Sequence, residues 1–78
     1  MNFNHDLLDE INLLMKFNLT TTLEGIKVHH NADPENISAA LRLFDKQLVT
    51  QKDGGYLTDL GREVSEHLQA AHTILTSA

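Results

Sequence analysis

The chain has no cysteine among its 78 residues, and small size without any possible disulfide constrains the fold more than any motif does. A chain this short buries only ~60–65% of the surface exposed by its unfolded form, so its stability margin is thin. Small domains commonly make up the difference with disulfides, a metal or a partner subunit. Lack of cysteine removes disulfides, iron–sulfur clusters and thiolate zinc sites. It also agrees with a reducing, cytoplasmic location. The expectation is one domain over residues 1–78 that gains stability from a second copy.

Apolar spacing then divides the chain. Leu7, Ile11, Leu14 and Met15 predict a helix from His5 to about Phe17, capped by Asn4, with Phe3 and Leu8 at the positions of a hydrophobic staple. Ile26-Lys27-Val28-His29 alternates apolar and polar residues and is assigned to a short strand. Asp33-Pro34-Glu35 is a strong helix start, with Asp at the N-cap and Pro in the first turn. Ile37, Ala40, Leu41, Phe44 and Leu48 then form one stripe on a helix from Pro34 to about Gln47. That spacing leaves Asn36, Ser38, Ala39, Arg42, Asp45 and Lys46 off the buried side.

Two strands joined by Asp53-Gly54-Gly55 read as a hairpin. A three-residue turn pairs Gln51 with Leu57, and a two-residue turn at Asp53-Gly54 pairs Thr50 with Leu57. Thr58 caps a last helix reaching about Thr76. Leu60, Val64, His67, Leu68, Ala71, Ile74 and Leu75 give that helix an apolar stripe wider than so small a core should absorb. The fold class is therefore α+β, mainly α: three helices, one hairpin and a possible extra strand.

Two segments carry a family resemblance. The first is Leu41-Arg42-Leu43-Phe44-Asp45-Lys46-Gln47-Leu48-Val49-Thr50, and the second is Gly55-Tyr56-Leu57-Thr58-Asp59-Leu60-Gly61-Arg62-Glu63. Together they resemble the recognition-helix exit, wing and next-helix entry of MarR-like and PadR-like winged-helix regulators. Tyr56 and Leu57 are adjacent here, where that pattern separates them by one residue. The whole chain is also similar to a family of bacterial proteins of this length, largely uncharacterised and sometimes labelled DNA-binding. Glu24 to His30 and Asp53 to Glu63 carry that likeness. The resemblance implies a reduced winged helix, because Thr20 to Asn31 is too short and too β-branched for the first helix of a helix-turn-helix pair. It also implies that Thr58 caps, that Gly61 permits close packing, and that Arg62 meets an acid or a phosphate.

On that reading Pro34 to Gln47 is the recognition helix. Asn36, Ser38, Arg42 and Lys46 would face duplex DNA, and Lys52 would touch a flanking phosphate. The opposing reading is a solvated helix face. Eleven acids against six bases give a formal net charge of −5, which disfavours non-specific attraction to phosphate. Two functions are thus expected: DNA binding or transcription regulation by a homodimer, or a protein-interaction module on the same scaffold with no nucleic acid. Leu68, Ile74 and Leu75 are the expected dimer contact.

Catalysis is not expected, since nucleophile elbow, phosphate loop and dinucleotide fingerprint are all missing. No cofactor is implied. His5, His29, His30, His67 and His72 lack the spacing of a metal motif, and His29 and His30 would point to opposite faces of a strand. His67, on the apolar stripe, reads as a core or interface histidine. No apolar run is long enough to span a membrane. The acidic start, Met1 to Asp6, lacks the basic region of a secretory signal.

Overall fold

A computed structural model describes residues 1–77. Three helices and a three-stranded antiparallel sheet make an α+β, mainly helical architecture compatible with a small winged-helix-like fold. The order is α1 (His5–Leu14), β1 (Ile26–Lys27), α2 (Pro34–Asp45), β2 (Val49–Gln51), β3 (Gly54–Leu57) and α3 (Asp59–Thr76). The sheet runs β1-β3-β2. Leu13, Leu14, Phe17, Ala39, Ala40, Leu43, Leu48 and Val49 form the core.

Asn4 caps α1 as its side chain suggests, accepting from the Leu7 amide at 2.8 Å. Phe3 and Leu8, expected to staple this end, are both exposed. The helix closes three residues earlier than its spacing predicts. Lys16 and Phe17 donate to Leu13 and Leu14, a tighter i→i−3 pattern that turns Phe17 into the core. A loop then runs from the end of α1 to β1, with no helix in it. Its turn is organised by Asn18, which accepts from Thr20 and donates to Glu24. Arg62 holds it from outside, donating to the Leu19 and Thr21 carbonyls at 3.0 and 3.1 Å. Arg62 is thus engaged by backbone oxygens, where the family pattern implied an acid or phosphate.

Of the predicted α2 stripe, Ala40 and Leu48 are buried and Phe44 is half-buried against the core, but the buried side extends toward Ala39 in place of Leu41. Ala39, Ala40 and Leu43 are buried, while Leu41 is 43% exposed. The apolar set on α2 is wide enough for either orientation. Packing against α1 selects the flank where Ala39 and Ala40 permit close approach. Asp33 holds the N-cap position, but its side chain makes no capping bond. At the other end Leu48 donates to Leu43 and Gln47 to Phe44. This is a Schellman closure with Gln47 in the left-handed region at φ 64°.

Neither expected hairpin register forms. Val49 pairs with Leu57 and Gln51 with Gly54, so the turn is Lys52-Asp53 and a bulge lies between the pairs. Both glycines belong to β3, with φ of 118° and 75°. They are required there because β1 lies alongside them, Lys27 opposite Gly54 and Ile26 opposite Gly55. A Cβ on Gly54 would come within 2.8 Å of the Ile26 carbonyl oxygen. The Thr50 hydroxyl fills the interrupted ladder by accepting from the Tyr56 amide at 3.0 Å. β1 itself is shorter than Ile26-to-His29 alternation suggests, although Val28 adds one bond to the Asp53 carbonyl.

Thr58 joins the ends of α2 and the hairpin to α3. Its hydroxyl donates to the Gln47 carbonyl at 2.6 Å and accepts from the Gly61 amide at 2.9 Å. A Cβ on Gly61 would overlap the Leu48 carbonyl, so glycine is what lets α3 start this close to the core. Only one flank of the α3 stripe is used: Gly61 and Ser65 are buried, and Val64 and Leu68 are half-buried against the core. Leu60, His67, Ala71, Ile74 and Leu75 remain exposed, so His67 is no core residue.

Candidate binding surfaces around the second helix

Two faces of α2 carry opposite chemistry. Toward α1, Glu10 is buried to 4% exposure yet ionisable. Arg42 Nε donates to its Oε2 at 2.9 Å, and Lys46 Nζ reaches Oε1. Arg42 also donates to the Asp6 carbonyl at 3.2 Å. Burial alone pushes the Glu10 carboxyl up, but the hydrogen bonds and charges of Lys46 and Arg42 outweigh it and hold the carboxyl below its ordinary value. The bond to Glu10 likewise raises the Arg42 guanidinium. Ser38 lies in a shallow depression beside Arg42, together with Asp6, Asp9 and Glu35. Such surroundings are unfavourable to a phosphate group.

The opposite side is a groove of about 560 Å³ between β1, the hairpin turn and α2. Val28, Ile37, Ala40 and Leu41 supply apolar surface, while Lys27, Lys52, His29 and His30 supply cationic or titratable groups, with Asp53 the one acid. His29 and His30 share this groove because the strand ends at Lys27, which removes the alternation that would have separated them. Lys16 and Asn36 border an adjoining crevice, which also touches Lys27 and His29.

The sequence-selected DNA residues are therefore not gathered on one surface. Arg42 and Lys46 meet Glu10, Ser38 lies among acids, Asn36 borders the crevice, and Lys52 lines the groove. Three of the six basic residues, Arg42, Lys46 and Arg62, bond within the chain. Among the described residues, Lys16, Lys27 and Lys52 make no side-chain hydrogen bond or ion pair, and all three lie around β1. Sequence reasoning missed this cluster because Lys27 and His29 lie far along the chain from Lys52, with α2 between them. Lys27 and Lys52 become neighbours only when β1 pairs with the hairpin.

Among the described residues, no three His, Asp or Glu side chains are grouped to hold a metal ion. No described helix is long and apolar enough to cross a membrane. The fold thus defines the class as a small α+β domain compatible with a winged helix. By sequence the chain belongs to a family of unknown function, DUF5669, whose model matches residues 1–76. No curated protein and no solved structure matches it significantly.

Proposed function

We propose that the chain is a protein-interaction module that takes an acidic, partly apolar segment of a partner protein in the groove between β1, the hairpin turn and α2. The observation behind this reading is the division of the basic residues. Arg42 and Lys46, the pair best placed by sequence to read DNA from α2, hydrogen-bond to buried Glu10. The unpaired Lys27 and Lys52 instead flank apolar Leu41 and Ile37. A cationic side on β1 and the hairpin turn facing apolar residues of α2 suits a segment with alternating acidic and apolar side chains. Duplex DNA is the second reading, favoured by the convergence of Lys16, Lys27, Lys52, His29 and His30. Its weakness is the net charge of −5, which opposes a polyanion at distance.

A peptide-library selection on the native protein, counter-selected on the Lys27→Glu/Lys52→Glu variant, tests both. Enriched peptides should be rich in Asp, Glu and large apolar residues, and should lose at least about tenfold in affinity against the variant. Fluorescence anisotropy with a random duplex at about 20 mM salt forms the other arm. Failure to enrich peptides, with duplex binding that disappears in the same variant, would replace the protein reading with the DNA one.

A further inference from the structure

The last two turns of α3 leave the body of the domain. Every residue from Gln69 to Thr76 is exposed, including Ile74 at 72% and Leu75 at 83%. Helical segments of this length are marginal in water unless an apolar face is packed. The face is present. Gly61, Val64 and Leu68, which meet the core, are followed at the same three-and-four spacing by Ala71 and Leu75. One seam therefore begins against this chain's own core and continues past its edge, where Ala71 and Leu75 are exposed with no described residue packed over them.

We infer that a second copy of the chain covers this overhang, the two α3 ends packing antiparallel about a two-fold axis near Ala71 and His72. Two features select that occupant. The segment Gln-Ala-Ala-His-Thr-Ile-Leu-Thr, residues 69–76, contains no Asp, Glu, Lys or Arg, although charged residues are 22% of the chain. Two bodies of net charge −5 repel one another, and an uncharged contact adds no like-charge pair to that repulsion. A partner chosen by charge would find nothing here to recognise. The seam is also self-complementary. With the axis near Ala71 and His72, Leu75 of each copy falls beside the half-buried Leu68 of the other, seven residues away along the seam. The overhang of one copy thereby closes the open core edge of the other. Antiparallel placement also opposes the two helix dipoles favourably.

Two turns from each copy bury less than the ~1,200 Å² of a standard stable interface, which puts the contact in the class of weak, transient ones. Sedimentation velocity from about 1 µM to about 1 mM is the test. The mass should rise from 8.7 kDa toward twice that value. Added salt should tighten association by screening the bodies, whereas an ion-paired interface would loosen. Ile74→Glu/Leu75→Glu changes only exposed side chains, so circular dichroism should show a folded chain that stays monomeric throughout. Leu60→Glu, exposed on the same helix but outside the overhang, should dimerise like the native protein. A native monomer at about 1 mM, a dimer that survives the Ile74/Leu75 change, or one abolished by Leu60→Glu would each overturn the inference.

Discussion

Glu10 shows how one residue redirects its neighbours. A carboxylate with 4% exposure is tolerable only because Arg42 and Lys46 neutralise it. Glu10→Gln should destabilise the fold at neutral pH by about 2 kcal/mol, below the usual cost of breaking a buried pair. The discount arises because the Arg42 and Lys46 side chains keep 28% and 49% of their exposure and can return to water. The pH dependence follows from the sign of the shift. Glu10 is held below its ordinary value of 4.5, so its stabilisation is present above that pH. It is lost as pH falls through the lower value that Glu10 has in the fold. The gap between native and Glu10→Gln urea midpoints should therefore narrow on acidification below 4.5. A gap unchanged between neutral and acid solution would mean that the triad contributes nothing. Gln47 offers the reverse case: its φ of 64° strains any residue with a Cβ. Gln47→Gly should stabilise by ~0.5–1 kcal/mol, read as a higher urea midpoint. An unchanged or lower midpoint would mean that the Gln47 side chain has a compensating contact.

At the scale of elements, the hairpin depends on a neighbour it does not share a turn with. Gly54 and Gly55 resemble turn residues, but the turn is Lys52-Asp53. The glycines sit in the central strand because β1 approaches them from one side and Thr50 and Gln51 from the other. Gly54→Val therefore meets two penalties, a positive φ and the Ile26 carbonyl, and should cost ~2 kcal/mol or more in thermal or urea unfolding. A loss of only a few tenths would show that β1 can detach without consequence. The same pairing brings Lys27 beside the hairpin turn. Damage to Gly54 should accordingly disturb the groove as well as the sheet.

On the scale of the whole molecule, three basic residues bond internally and three stand around β1, while the uncharged end of α3 lies apart from both sets. Two unlike surfaces result, a groove that mixes cationic and apolar side chains and a helical overhang without charged residues. A net charge of −5 describes neither of them. The two surfaces use different residues, so the Lys27→Glu/Lys52→Glu variant should keep whatever self-association the exposed Ile74 and Leu75 carry.

Local chemistry made much of the fold legible. Asn4 and Thr58 announce helix starts because short polar side chains satisfy free amides there. Pro34 announces another because its fixed φ suits a first turn. The excess width of the α3 stripe was also readable, since spacing alone shows more apolar surface than a small core can bury. Which flank of α2 faces inward was not readable, for Ile37-Leu41-Phe44 and Ala39-Ala40-Leu43 both satisfy helical spacing. Nor was the hairpin register, where the approach of β1 outweighs local turn preference. The groove followed the same rule. The sequence by itself determined where helices begin and how much apolar surface they carry, because those depend on residues within a turn or two. Only the tertiary structure decided that Arg42 and Lys46 meet Glu10 while Lys27 and Lys52 remain unpaired, because that outcome depends on how helices are rotated and strands paired across distant parts of the chain.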